Sequence, residues 1–243
     1  MRTETVGVTE TLIESAKKEF LEHGFQNANL RRISSESGVS TGSIYTRFGD
    51  KAGLFSAVVK PAADGLMELY LESITAARES GDPAEATSQG NEGTELVLKY
   101  IYENFDVFKL IFCHSAGTEY ERYFDELAEI EEKYYREFVK QFSRRENMVS
   151  DFFIHVICRT GWSYIYEVVS HDLSYDEAQI FMKSIREFCF AGWGKVLGQN
   201  YEDLGFAFLQ SRNCAAPLQK RCQNHLTFLT FSATPYRVLL FKW

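Results

Sequence analysis

The segment from Thr41 to Phe48 carries small, hydroxylated and basic side chains around two apolar residues. Ile44 and Phe48 lie four residues apart, so a helix here would turn both towards its supporting elements. The other side chains would project outwards, where small groups let a helix approach DNA bases and hydroxyls can bond base edges or phosphates. The residues of this helix that we expect to contact DNA are Thr41, Gly42, Ser43, Tyr45, Thr46 and Arg47.

Lys51 stands at the start of the next predicted helix, where its cation faces the positive end of the helix dipole. A phosphate partner would explain this unfavourable placement. The amides at the start of the preceding helix, at Thr41, also favour a phosphate oxygen. The alternative is that Tyr45 and Lys51 are ordinary exposed side chains and that Arg47 touches nothing.

Two helices precede this segment in the predicted structure. Apolar residues recur every four positions from Leu12 to Phe20 and predict an amphipathic helix over residues 9–23, ended by glycine. Asn29 can cap a second short helix, which would end at Gly38. Two short helices joined by a tight turn, after a supporting first helix, are typical of a helix-turn-helix.

The pattern of helix starts continues along the chain. Ser40 can cap the third helix, and Asp50 can cap a long fourth helix. Pro61 should kink or interrupt that fourth helix, because proline removes a backbone donor and clashes with the preceding turn. Pro83, preceded by Asp82, is suited to the first position of a further helix.

The remaining two thirds of the chain also read as helical. Apolar residues from Val97 to Phe112 form one stripe, and capping boxes at Thr118 and Ser174 open two later helices. A further apolar helix is predicted over about residues 148–170. We find no convincing strand, so the sequence predicts an all-α fold of roughly nine helices.

Charge is unevenly distributed along the 243 residues, whose net charge is −8. Residues 29–60 hold 5 basic and 2 acidic groups, a net of +3, whereas residues 61–198 hold 13 basic and 25 acidic groups, a net of −12. A mildly basic segment ahead of an acidic one favours an anionic partner at the N-terminal end. No window approaches the ~20 apolar residues of a membrane span, and no signal-peptide core is present, so we expect a cytoplasmic protein.

The sequence offers no candidate for catalysis or metal binding. The motifs H-E-x-x-H and G-x-S-x-G and the Walker-type glycine loop are missing. Cys113 and His114 have no acidic partner in the pattern, and His155 and Cys158 would need two further metal ligands. Five scattered cysteines without a C-x-x-C pair argue against a disulfide framework or a zinc site. We expect no enzyme, no metal and no cofactor.

Residues 9–59 resemble the N-terminal domain of TetR/AcrR-type transcriptional regulators in spacing, in the turn and in the Tyr-x-x-Phe-x-x-Lys ending. The residues that carry the resemblance are Phe20, Gly24, Phe25, Leu30, Arg31, Ile33, Gly38, Val39, Ser40, Thr41, Gly42, Ser43, Ile44, Tyr45, Phe48, Lys51 and Leu54. The resemblance implies a homodimer that binds a palindromic DNA operator and acts as a repressor. It adds DNA contacts from Asn29 and Arg31 and a phosphate contact from Lys51.

The resemblance also implies how the chain is organised. It predicts a three-helix helix-turn-helix domain over residues 1–50 and a larger helical domain over residues 51–198 for effector binding and dimerisation. A small-molecule effector bound in the larger domain would release the operator. Residues 199–243 lack capping boxes and sustained periodicity. They read either as an accessory segment docked on the body or as an appended end without evolved structure.

Aromatic residues in the larger domain are candidates for an effector pocket, although aromatic residues at helical spacing more often form a core. Together they would suit an apolar or aromatic effector. The candidates are Phe105, Phe108, Phe112, Tyr120, Tyr123, Phe124, Tyr164 and Tyr166.

The last two predicted helices, over about residues 148–170 and 174–198, are more apolar than one bundle face needs. In the resembling family the corresponding helices form a four-helix dimer interface. The predicted interface residues are Trp162, Ile165, Val169, Phe181, Ile185 and Phe188. The alternative function is a helical protein that binds small molecules or proteins without binding DNA.

Overall fold

The computed structural model of the chain describes residues 7–79, 83–143 and 149–198. All described residues lie in one compact unit. The prediction for residues 199–243 therefore lies outside the described residues. The helices are α1 Val8–Asn27, α2 Leu30–Ser37, α3 Thr41–Phe48, α4 Lys51–Glu79, α5 Pro83–Glu103, α6 Phe105–Cys113, α7 Tyr123–Phe142, α8 Asp151–Ser170 and α9 Tyr175–Leu197, with a 3-10 turn at Glu119–Arg122.

The described part of the chain contains helices and no strand, which confirms the predicted all-α fold. Helices α1 to α3 pack around a small apolar centre with the start of α4. The five side chains at this centre, each without exposed surface, are Phe20, Ile33, Ile44, Leu54 and Phe55. None of the described helices is long and apolar enough to cross a membrane.

Local capping explains where several helices begin and end, as predicted. The side chain of Asn29 accepts a hydrogen bond from the Arg31 amide, and that of Ser40 accepts one from the Ser43 amide. Ser174 and Glu177 form a complete capping box at the start of α9. Gly38 follows α2 with a φ of 68°, a left-handed conformation that glycine adopts without strain.

Two predicted elements differ in the structure. The apolar stripe from Val97 to Phe112 belongs to two helices, α5 and α6, which separate at Asn104. The Asn104 side chain donates to the carbonyl of Tyr100, and such local bonds compete with helix continuation. At Thr118 the cap opens a 3-10 turn, and the Glu121 side chain accepts from the Gly117 amide, so the predicted capping box is incomplete.

Helix α4 continues through Pro61 without interruption over its 29 residues. Pro61 is exposed, so water can bond the carbonyl that loses its helical donor at this point. The prediction of an interruption was therefore wrong. The unbroken α4 packs against the N-terminal domain at Phe55 and against the body at Leu66, and both side chains are fully buried.

Candidate nucleic-acid interface and effector cleft

Helix α3 is anchored by its inner face and leaves the predicted contact face open. Ile44 is fully buried and Phe48 is half-buried against the core. Gly42, Tyr45 and Thr46 are exposed, and the Tyr45 side chain retains 54% of its surface. A helix held in this way can present its outer residues to a groove without rearranging. Thr41 and Ser43 are half-buried at the same end of α3.

Asn29 and Arg31 are both exposed at the start of α2, near a buried carboxylate that the sequence analysis missed. Glu19 of α1 accepts from the Asn29 amide at 2.7 Å and from Nε of Arg32 at 2.9 Å. Burial acts to raise the pKa of Glu19, but these hydrogen bonds and the Arg32 charge hold it below its usual range. The carboxylate thereby fixes α2 against α1. An acidic residue beside Phe20 on the apolar side of α1 was the available signal.

The Lys51 side chain has partners within the protein. Its Nζ donates to the carbonyls of Gln26 at 2.9 Å and Ala28 at 3.2 Å, and lies 4.7 Å from the centre of the Phe25 ring. These contacts at the end of α1 account for a cation at this position without a phosphate. The phosphate contact of Lys51 stays a prediction.

Arg47 also contacts the protein. Its Nη1 donates to the Thr9 hydroxyl at 3.1 Å, which ties the end of α3 to the start of α1. Arg47 is half-buried rather than projecting freely from the helix, because this bond draws it towards α1. Its DNA contact stays a prediction.

Backbone and side-chain bonds join the N-terminal domain to α6 and the 3-10 turn. The Phe25 amide donates to the His114 carbonyl at 3.0 Å. The Ser56 hydroxyl lies 2.9 Å from Oε1 of Glu119 and 3.0 Å from the Tyr120 hydroxyl. The Phe55 ring packs against Phe25 with 5.4 Å between centres. Movement at the end of α6 would therefore reach α1 directly.

The predicted effector aromatics fall into three groups. Phe108, Tyr120 and Tyr123 are buried in the core, and the Tyr123 hydroxyl donates to the Ala63 carbonyl at 2.6 Å. Burial in the ligand-free chain does not test their assignment to an effector pocket, which stays a prediction. The half-buried members are Phe105, Phe112 and Tyr164. The last two, Phe124 and Tyr166, line a cleft.

This cleft lies between α7 and α8 and has a volume of about 290 Å³. Its residues are Phe124, Asp125, Arg159, Trp162, Ser163 and Tyr166. Arg159 pairs with Asp125 at its edge, and the Phe124 ring stacks on Phe112 with 4.1 Å between centres. Four further residues of this cleft, Asp125, Arg159, Trp162 and Ser163, were not among the predicted effector residues. Positions 159, 162, 163 and 166 share one face of a helix, which was the available signal.

The predicted dimer residues are not all on the surface. Trp162, Ile165 and Val169 are at most 5% exposed, because this face of α8 packs into the subunit core. Their assignment to a dimer interface stays a prediction. Phe181 and Ile185 are half-buried, and Phe188 is 70% exposed. The large apolar side chains that α8 and α9 do expose are Phe152, Val156, Tyr166, Ile180 and Phe188.

Comparison with known proteins identifies the N-terminal domain. Residues 12–58 match the family described as "Bacterial regulatory proteins, tetR family". The HTH-type transcriptional repressor AcnR of Corynebacterium glutamicum is 37% identical over 62 residues, which cover 26% of this chain and 33% of AcnR. The chain thus spans about a third of the length of the curated relatives it matches.

Solved structures extend the similarity of fold to the helical body. A TetR-family regulator, PfmR of Thermus thermophilus, is 19% identical, with 77% of this chain and 97% of that chain covered and a TM-score of 0.54. A fatty acid metabolism regulator of Clostridium perfringens, assigned that role only provisionally, is also 19% identical, with 78% and 98% covered and a TM-score of 0.52. The N-terminal helix-turn-helix domain therefore matches the tetR family over residues 12–58, and the helical body has a fold similar to that of these solved structures.

Proposed function

We propose that this chain is a transcriptional repressor that binds a palindromic DNA operator as a homodimer and is released by a small-molecule effector. The observation that carries the proposal is α3, whose inner face is anchored by Ile44 while Tyr45 and Thr46 stay exposed. Small and hydroxylated residues on such a helix suit base edges, whereas neighbouring basic groups suit phosphates. The repressor function of the AcnR relatives supports the same direction of control.

Selection of bound duplexes from a random DNA pool, at two salt concentrations, tests the DNA-binding part of the proposal. We expect enrichment of a palindrome and an affinity that falls steeply with salt, because phosphate contacts release counterions. The acidic body, with its net charge of −12 over residues 61–198, adds no attraction for DNA. A folded protein that enriches no sequence would overturn the DNA-binding proposal and favour a ligand-binding protein.

Dimerisation is supported by the exposed apolar side chains of α8 and α9. Phe152 and Val156 lie four residues apart on α8, and Ile180 and Phe188 lie eight apart on α9, so each pair shares a helix face. Three of the four are at least 70% exposed in the single chain. Exposed apolar residues grouped on two adjacent helices are typical of a surface that another protein covers. We propose that the second copy of this chain covers it.

Effector control is supported by the contacts that connect the body with the DNA-binding domain. Helix α4 carries Lys51 at the N-terminal domain and Tyr70 in the body. The Phe25 amide bonds the His114 carbonyl beyond α6. An effector that shifts α4 or α6 would change the separation of the two α3 helices in a dimer. Operator half-sites have a fixed spacing, so such a change weakens binding.

A further inference from the structure

Glu131 of α7 is a buried carboxyl group whose hydrogen bonding is incomplete. Its Oε2 atom is shielded from solvent and has no hydrogen-bond partner among the described residues, and the same is true of the Tyr70 hydroxyl on α4. Most buried polar atoms in proteins are paired, so two unpaired oxygens in one cluster need an explanation. An unmade bond to a buried acceptor is costly unless another molecule supplies the donor.

The side chains around Glu131 come from four helices and are aromatic or weakly acidic. Electrostatic contact with its carboxyl group reaches Tyr70 of α4, Tyr134 and Tyr135 of α7, Cys158 of α8 and Cys189 of α9. Burial raises the pKa of every one of these phenols and thiols, so all are neutral at neutral pH. The Trp162 indole acts against burial on both groups, because it lowers the pKa of the Glu131 carboxyl group and that of the Tyr70 phenol.

No lysine or arginine of the described residues acts on Glu131, so none of them would compensate a negative charge on its carboxyl group. Burial raises the pKa of this carboxyl group to about 8, against the opposing effect of the Trp162 indole. In the free protein at neutral pH the group is therefore largely protonated. A bound cation would restore the carboxylate, because opposite charges at close range favour the ionised form.

Aromatic rings complete the environment that an organic cation needs. The rings of Tyr70 and Trp162 meet edge to face with 5.0 Å between centres, and Tyr135 stacks on Trp193 at 5.0 Å. Rings of tyrosine and tryptophan attract cations through their faces, and the attraction is stronger where water is excluded. A carboxylate among such rings favours a cation over a neutral or anionic ligand.

We infer that the effector is an organic cation with an apolar body, whose ammonium group binds between Oε2 of Glu131 and the hydroxyl of Tyr70. This inference rests on the proposed function and names the effector class of that regulator. The aromatic body of the ligand lies on the Trp162 side, in the cleft lined by Phe124 and Tyr166.

Trp162 connects the cleft with the buried carboxyl group, since it lines the cleft and also contacts both Tyr70 and Glu131. The cleft volume of about 290 Å³ is just below the range of ~300–1,000 Å³ for small-molecule sites, so the cleft alone suits a small ligand. Gly161 leaves room beside the carboxylate, because a Cβ there would meet Oε2 at an unstrained 3.8 Å.

Calorimetric titration of the full-length protein with matched aromatic ligands tests the inference. The probes are phenethylamine, phenethyl alcohol and phenylacetate, together with their naphthyl analogues, which share a shape and differ in charge. We expect the amines to bind about tenfold or more tightly than the alcohols and acids. As the pH is raised towards 8, amine affinity should increase about tenfold for each pH unit, and above pH 8 it should level off. About one proton should be released for each ligand bound at pH 7.

Glu131→Gln is the matched variant, since it keeps the shape and removes the charge. It should abolish the preference for amines and the proton release, whereas Glu129→Gln, at an exposed glutamate on the same helix, should change neither. Tyr70→Phe should weaken primary amines about threefold to tenfold but leave their trimethylammonium analogues unchanged, because these cannot donate a hydrogen bond. The proton release is measured on the unaltered chain, so the test does not depend on folding of a variant.

Equal binding of amines, alcohols and acids would overturn the inference, as would no amine binding up to about 1 mM. Retention of amine preference in Glu131→Gln would overturn it as well. These failures are distinguishable from failure of the regulator proposal. Operator selection by the same protein without ligand tests DNA binding alone, and an operator complex that ignores every amine contradicts the effector class and not the DNA-binding function.

Discussion

Glu19 of the N-terminal domain and Glu131 of the body have carboxyl groups whose surroundings shift their pKa values in opposite directions. Glu19 in the N-terminal domain receives hydrogen bonds from the Asn29 amide and the Arg32 guanidinium, and its pKa lies below the usual range. Glu131 in the body has an unpaired oxygen and no cation beside it among the described residues, and its pKa is raised to about 8. The N-terminal domain is internally satisfied and suited to a rigid contact surface. The body contains a carboxyl oxygen without a hydrogen-bond partner among the described residues, as expected of a region that binds a ligand.

The largest expected effect concerns the surface of the body rather than its interior. Phe188→Asp places a charge in the proposed dimer surface and should convert the dimer to a monomer. Operator affinity should then fall about 100-fold or more, because the two half-sites are no longer bound together. Light scattering gives the mass and a DNA-binding titration gives the affinity. Gln179→Asp, at an exposed polar position of α9, is the control and should leave both unchanged.

Glu19→Gln tests the satisfied carboxylate. The free energy of unfolding should fall by about 2 kcal/mol, because charge-assisted bonds to Arg32 are replaced by a weaker neutral bond. Urea denaturation at pH 7 measures the change. Glu14→Gln, at an exposed residue of the same helix paired with Lys17, should alter stability by less than about 0.5 kcal/mol. Equal effects of the two substitutions would contradict the role assigned to Glu19.

Glu131→Gln should increase the free energy of unfolding, whereas Glu19→Gln should decrease it. The pKa of Glu131 is raised above its value of 4.5 to about 8, so the folded chain holds a proton that the unfolded chain has lost between these values. The stability contributed by the protonated group is present below pH 4.5 and is lost as the pH rises towards 8. The variant should therefore match the parent protein at pH 5 and exceed it by up to about 3 kcal/mol at pH 8. Thermal unfolding at both pH values checks this. A variant that is destabilised at pH 8 would contradict it.

The smallest effects are expected on the DNA-binding surface. Lys51→Ala should weaken binding to all duplexes alike, by about 1 kcal/mol, because a phosphate contact carries no sequence information. Thr41→Val or Ser43→Ala should instead change the preference among duplexes. Binding to the selected operator and to a scrambled duplex, measured for each variant, separates the two roles. A change of preference in Lys51→Ala without weaker binding would show that the roles are assigned wrongly.

Local chemistry made much of the fold predictable. Caps at Asn29, Ser40 and Ser174 depend on residues within three positions, so the sequence alone specifies them. The break at Asn104 was missed because the apolar spacing continues across it, and periodicity does not report a competing side-chain bond. The predicted end of the first helix at Gly24 coincides with a break in α1, where Gly24 has a φ of 69° and a non-helical conformation before the chain continues to Asn27.

The sites were less predictable because they depend on which helix faces another. Ile165 and Val169 are apolar residues whose inward or outward orientation in α8 no local pattern decides, and the structure buries both. The same uncertainty hid Arg159 and Trp162, which reach the cleft only because α7 lies opposite. The DNA-facing residues of α3 could be predicted because that helix is short and its two apolar anchors fix its rotation.

The bond between the Phe25 amide and the His114 carbonyl has a practical consequence for hybrid regulators that exchange DNA-binding domains. It joins two backbone groups, so a transplanted N-terminal domain can keep it whatever side chain replaces Phe25. Gly24, with a φ of 69°, sets the chain path that brings the amide into position. A donor domain with a bulkier residue at that point would join the same body through a different angle. Whether a donor domain fits this body therefore depends first on the backbone conformation at Gly24 and Phe25, and only then on surface side chains.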